Sequence, residues 1–155
     1  MKKYKTRIKI DILGYFYLTM TDNLNKEKRS WNMSRIKGKN TKPELIVRSM
    51  LHSMGFRFRI HRKDLPGHPD VVLPKYNTII FINGCFWHQH KNCKRSNIPK
   101  TNKDYWLPKF KRVKERDKEN YKALESAGWK VLVVWECMLK DIEELKIFLK
   151  NKLEV

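Results

Sequence analysis

Asn83-Gly84-Cys85-Phe86-Trp87-His88-Gln89-His90-Lys91-Asn92-Cys93 is the stretch on which the reading of this chain turns. It follows an apolar run, Thr78 to Ile82, which reads as a buried strand entered by a turn at Lys75 to Asn77. Thiols, imidazoles and two large aromatics are therefore carried on a loop that leaves a sheet. Cys85 and Cys93, together with Cys137 far downstream, are three thiolate ligands for a tetrahedral zinc ion, and no cysteine is left over. A histidine of the loop completes the set. Spacing alone leaves open whether His88 or His90 does so, and three ordinary buried thiols are the competing reading.

Upstream of that loop, Asp70 opens the run Val71-Val72-Leu73, a second strand stopped by Pro74. A carboxylate placed after Pro69 and directly before a buried strand is held at the rim of the sheet, as a magnesium ligand or as a turn-capping aspartate. Before it, Phe56, Phe58 and Ile60 alternate with Arg57 and Arg59, which predicts a half-buried strand, and His61 to Pro69 reads as a loop. Thr41-Lys42-Pro43-Glu44 is a helix start with Glu44 at the capping-box position. Leu45, Val47, Met50, Leu51 and Met54 then recur near helical spacing until Gly55.

Downstream, a long helix is predicted from Thr101 or Asn102 to Gly128, with Trp106, Phe110, Val113, Tyr121 and Leu124 on one stripe. Asp117 falls in the middle of that stripe. A carboxylate on an apolar face has to be paired or hydrogen-bonded, since burying an isolated charge is costly, so Asp117 is a candidate site residue. Trp129 to Cys137 reads as a further strand, and Ile142, Leu145, Phe148, Leu149 and Leu153 as a closing helix. The order helix, three strands, helix, strand, helix predicts an α/β fold in which helices flank a mixed sheet.

At 155 residues the chain is long enough for one domain with a real core and no disulfides. Thirty-five Lys and Arg against sixteen Asp and Glu leave a formal charge of +19, which self-repels unless a polyanion neutralises it. Nucleic acid is the natural partner, although charge alone specifies no chemistry. The apolar stretch Ile10 to Met20 is too short to span a bilayer and has no cleavage site, so no membrane association is expected and the protein is read as cytoplasmic.

Leu65-Pro66-Gly67-His68-Pro69-Asp70, the Asn83–Cys93 loop, Glu115-Arg116-Asp117 and Val134-Trp135-Glu136-Cys137 occur in an order that resembles the very short patch repair DNA mismatch endonucleases, from about Asn23 to about Leu139. The resemblance implies a restriction-endonuclease-like fold, with residues 1–22 a non-family extension and 23–155 a single domain whose N-terminal segment clamps DNA. It assigns His90 to a structural zinc with Cys85, Cys93 and Cys137. His88 becomes the catalytic base, with Asp117 fixing its tautomer. Asp70 and the backbone carbonyl of Ile82 are placed on catalytic magnesium, two ions in all, with Glu44 close by. Met33 would press into the base stack, and Phe86 and Trp87, adjacent in the metal-pinned loop, are either a small core over the zinc or wedges for a base step.

The substrate class implied is double-stranded DNA with a T·G mismatch, cut on one strand by a nucleoid-associated monomer that works alongside mismatch-repair proteins. One position departs from the expected pattern. Asn83 stands where a histidine is expected, and an amide can neither act as a base nor carry charge. A restriction-type endonuclease without mismatch selectivity and a non-catalytic, zinc-stabilised nucleic-acid-binding protein are the alternative readings.

Overall fold

The computed structural model describes residues 24–35 and 38–153, apart from the side chains of Lys26 and Met33. The 1–22 extension and the Met33 wedge expected above lie outside that description. The elements are α1 (Lys26–Ser34), α2 (Lys42–Ser53), β1 (Val71–Leu73), β2 (Thr78–Asn83), α3 (Lys103–Ser126), β3 (Lys130–Trp135) and α4 (Ile142–Leu153).

β2 is the centre of a three-stranded mixed sheet, antiparallel to β1 and parallel to β3. All of β2 except Ile82 is buried, as a strand covered on both faces must be. Alternation sends Val71, Leu73, Ile80, Leu132 and Val134 to one face, where they pack with Val47 and Leu51 of α2 and Leu145 and Leu149 of α4. Val72, Ile79 and Phe81 on the other face meet Leu124 and Tyr121 of α3. The sheet is thus a filling between α2 and α4 on one side and α3 on the other. Because α3 is the crossover between parallel neighbours β2 and β3, any group on its sheet-facing stripe is held over the sheet.

Two predicted strands need correction. Phe56 to Ile60 is reduced to a single bridge, in which Arg59 and Val72 exchange both backbone hydrogen bonds at 2.8 Å. In the register of that bridge the next hydrogen-bonded pair would set Arg57 against Pro74, which has no N–H to give, and on the other side His61 leaves the extended region with φ 56°. The last strand ends at Trp135, not Cys137, since its partner β2 ends at Asn83, which pairs with Trp135. Cys137 instead lies in the 3-10 turn Glu136–Lys140. The helix α1 has no counterpart among the sequence expectations; Trp31 and Met33 are the two apolar residues of its polar stretch, too few to announce a helix.

Candidate active site

Asp70, Ile82, Asn83, His88 and Asp117 converge on one cavity of about 500 Å³, and Glu44 also lines it. The strands explain the convergence: Asp70 sits just before β1, while Ile82 and Asn83 end β2, the antiparallel neighbour. Asp70 Oδ2 accepts a hydrogen bond from the Ile82 backbone N–H at 2.7 Å, tying the carboxylate to the strand end. Burial pushes the Asp70 carboxyl up to about 6, against the pull of that hydrogen bond, with the Glu44 charge adding to the rise and Arg48 opposing it. An acid so disfavoured in its charged form is suited to a cation.

His88 and Asp117 meet across the cavity wall, Nδ1 to Oδ2 at 2.5 Å. Asp117 lies on the stripe of α3 that faces the sheet, and its neighbour Arg116 stands 3.7 Å from its other oxygen. The burial constraint that singled out Asp117 is met by an imidazole. Asn83, 4% exposed, donates from Nδ2 to the hydroxyl of Tyr121 at 2.9 Å. Tyr121 packs on Phe81, and burial pushes its hydroxyl up to about 12.

Glu44 is committed elsewhere. Its Oε1 accepts from the Thr41 backbone (3.3 Å) and hydroxyl (2.7 Å), and its Oε2 from Asn40 N–H and Arg48, both at 2.9 Å. Arg48, 8% exposed, also donates to Asn40 Oδ1 at 2.7 Å and to the Asp70 carbonyl at 3.0 Å. The pair therefore braces the backbone of Asp70 from below. Arg48 was absent from the sequence candidates, although its position four residues after Glu44 on a helix is a pairing signal.

His90 is separated from His88 by Gln89 in the left-handed region (φ 50°), stabilised by a 2.7 Å bond from Gln89 Nε2 to the Phe86 carbonyl. The two rings accordingly take different company. His90 Nδ1 lies 3.7 Å from Cys85 Sγ and 3.3 Å from Cys137 Sγ, and the ligand atoms of Cys85, His90, Cys93 and Cys137 are all within 4.8 Å of one another. Tetrahedral bonds of about 2.3 Å to sulfur and about 2.0 Å to nitrogen put such atoms roughly 3.5–3.8 Å apart; the two His90–sulfur separations are near that spacing, and the four groups lie close enough together to hold one metal ion. Burial raises the thiols of Cys85 and Cys137 and lowers the His90 imidazole, which favours the neutral ring that binds metal. Trp135 stacks on His90, centroids 4.1 Å apart and planes 6° from parallel, and fixes the ring.

Phe86 and Trp87 do not line the cavity. Phe86 makes edge contacts with Trp87, Trp106 and Phe110 at 5.0–5.4 Å, and Lys109 Nζ lies 4.9 Å over the Trp87 ring. His61, Lys63 and His68, all on the loop before Asp70 and none of them marked by a sequence signal, line the cavity with Arg116. Gly67 lets that loop lie on α3: its φ is +74°, and a Cβ there would stand 3.0 Å from Asn120. The Pro and Gly of the loop announced a turn but not which wall it would build.

A sequence model described as DNA mismatch endonuclease Vsr matches residues 21–95. The chain is 48% identical over 135 residues to the type II nicking enzyme V.XorIIP of Xanthomonas oryzae pv. oryzae, covering 87% of this chain and 98% of that protein. It is 50% identical over 122 residues to the type II nicking enzyme V.NmeAIP of Neisseria meningitidis serogroup A, covering 79% and 86%. To the DNA mismatch endonuclease Vsr of Escherichia coli it is 40% identical over 126 residues, covering 81% and 80%. With relatives 40–50% identical over most of both chains, the chain belongs to the Vsr family of DNA mismatch endonucleases.

Proposed function

We propose that this protein nicks double-stranded DNA at T·G mismatches by magnesium-dependent phosphodiester hydrolysis, on a restriction-endonuclease-like single domain carrying one structural zinc. The observation that carries the reading is the meeting, in one cavity, of a burial-disfavoured carboxylate and a His–Asp pair. Asp70 keeps one carboxylate oxygen clear of the Ile82 N–H, and with the Ile82 carbonyl it would hold magnesium. One carboxylate suits that ion, which takes its remaining ligands from water and phosphate. Bound there, magnesium would supply the positive charge that phosphodiester hydrolysis needs.

With Asp117 accepting from the Nδ1–H of His88, the lone pair of the imidazole resides on Nε2, the atom able to take a proton from water. Asp117 then stabilises the imidazolium. Lys63 and Arg116 add charge for the DNA backbone. Cys85, His90, Cys93 and Cys137 would hold zinc, and a four-ligand shell leaves no open position for water, so its service is to pin the loop that presents His88 to the turn after β3. Phe86 and Trp87 stand on the same loop, half-buried. Wedging aromatics into a base step costs a few kcal/mol, least where a mismatch has weakened stacking, which is a route to selectivity.

Single-turnover nicking of matched and T·G duplexes, with and without magnesium, tests this reading. The expected result is one-strand cutting of the mismatched duplex only, and only with the cation. Equal cutting of both duplexes would leave a nuclease without mismatch selectivity. Tight binding with no magnesium-dependent cutting would leave a binding protein.

A further inference from the structure

Tyr121 was read from the sequence as one apolar member of a helical stripe, and its ring does pack on Phe81 at 5.0 Å. Tyr121, however, also lines the active-site cavity. It stands one helical turn beyond Asp117, and both the Asp117 and Asp70 carboxylates act on it electrostatically. The hydroxyl oxygen accepts a hydrogen bond from Asn83 Nδ2 at 2.9 Å. That bond uses a lone pair and leaves the hydroxyl proton unspent, and among the described residues no acceptor receives it.

A half-buried hydroxyl with an unused donor is costly unless an acceptor arrives. We propose that Tyr121 contacts the substrate, its hydroxyl, oriented by Asn83, donating a hydrogen bond to a non-bridging oxygen of the scissile phosphate. This rests on the endonuclease reading above and adds a residue to it. The chemistry favours an anion over other acceptors. A hydrogen bond from a neutral hydroxyl to an ionised oxygen is about twice as strong as one between neutral groups. The donor also endures: with burial pushing the hydroxyl up to about 12, it keeps its proton throughout the neutral range. Between two carboxylates, a lysine would be drawn into ion pairs, whereas a neutral hydroxyl stays available. Asn83, where a histidine was expected, brings no charge of its own to a phosphate; its amide instead fixes the tyrosine, and the donor comes from α3. Asn83 is on this account a positioning residue.

The test uses T·G duplexes carrying either diastereomer of a phosphorothioate at the scissile phosphate, nicked by the wild type and by Tyr121→Phe under single turnover. The variant keeps the ring on Phe81 and loses only the hydroxyl. On the all-oxygen duplex it should be slower by about 10- to 10²-fold, somewhat below the usual cost of one transition-state donor. Because sulfur is a poor acceptor, one diastereomer slows the wild type through the lost contact, and that slowing should shrink several-fold in the variant. Wild-type speed in Tyr121→Phe, or sulfur effects identical in the two enzymes for both diastereomers, would overturn the contact while the endonuclease reading stands. A wild type that nicks no T·G duplex would remove the endonuclease reading and the contact with it. Should Tyr121→Phe melt early, Asn83→Ala provides the second variant: it keeps the hydroxyl but frees it, so the same diastereomer must change its effect, and no change overturns the proposal.

Discussion

His88 Nδ1 and Asp117 Oδ2 lie 2.5 Å apart although 29 positions separate the residues in sequence. One is delivered by the loop after β2 and the other by the crossover helix α3, so the pair exists only once β2 and α3 have packed. Groups that act as one unit lose activity once. His88→Ala should lower single-turnover nicking by about 10²- to 10⁴-fold, the usual cost of removing a general base. Asp117→Asn should come close to it, and the double variant should be little worse than either. Losses that multiply would mean that the two residues serve separate steps.

Asp70 makes a prediction about stability as well as rate. In the folded chain it holds its proton up to about pH 6, above the ordinary carboxylate range, so it favours folding at low pH and that contribution is lost as the pH rises through 6. Above that, the buried charge is a constant cost. Without divalent cations, Asp70→Asn should therefore melt higher than the wild type at pH 7.5, by on the order of 1–3 kcal/mol, and the difference should vanish near pH 4. Magnesium should raise the wild-type melting temperature and leave the variant's unmoved, while nicking by the variant is lost. A wild type already the more stable at pH 7.5 in chelator would contradict the burial argument.

Much of this site could be read along the chain because its parts are local. The run before Asn83 and the apolar run after Asp70 announce their strands, and a carboxylate on the α3 stripe demands a partner by burial alone. What stayed hidden depends on pairing between distant segments. The strand Phe56 to Ile60 shrank to one bridge because Pro74 and the left-handed His61 stop the pairing on either side, and β3 stopped at Trp135 because β2 did. Spacing could not choose between His88 and His90; the turn at Gln89 sends one ring to Asp117 and the other to the cysteines. Tyr121 was legible as an apolar ring and illegible as a hydroxyl, since its partner Asn83 is on another element.

Glu44 lines the cavity, yet both of its oxygens are taken by Asn40, Thr41 and Arg48. Its service is to the helix start and to Arg48, which holds the Asp70 carbonyl. Glu44→Gln should consequently retain nicking within about tenfold while lowering the melting temperature, and Arg48→Met should destabilise more, by about 3 kcal/mol, since it leaves a buried carboxylate unpaired. If Glu44→Gln kept its melting temperature and lost cutting as completely as Asp70→Asn, Glu44 would belong among the metal ligands.

Trp87 leans on Phe86 and Trp106 and carries Lys109 over its ring, so its truncation tests wedge against packing. A wedge acts on base stacking. Trp87→Ala should narrow the ratio of T·G to matched cutting by about tenfold, in line with the 1–3 kcal/mol typical of stacking a base on an aromatic ring. An unchanged ratio with a lowered melting temperature would return Trp87 to the aromatic cluster over α3.

His90 and His88 are two positions apart, and their substitutions should fail in opposite ways. The His90 Nδ1 atom stands among the thiols of Cys85 and Cys137, whereas the His88 Nδ1 atom is spent on Asp117. Removing a ligand from a four-ligand zinc shell opens it, and metal affinity that exists only in the folded state is folding stability. His90→Ala should lose most of its zinc and melt several degrees lower, with nicking falling as a consequence of the released loop. His88→Ala should keep a full complement of zinc and a wild-type melting temperature while nicking collapses. Zinc content by elemental analysis, melting temperature and single-turnover rate, measured on the same preparations, separate the two patterns. If His88→Ala were the variant that shed zinc, His88 would be the ring that completes the cysteine cluster, and the base would have to be sought among His61 and His68, which also line the cavity.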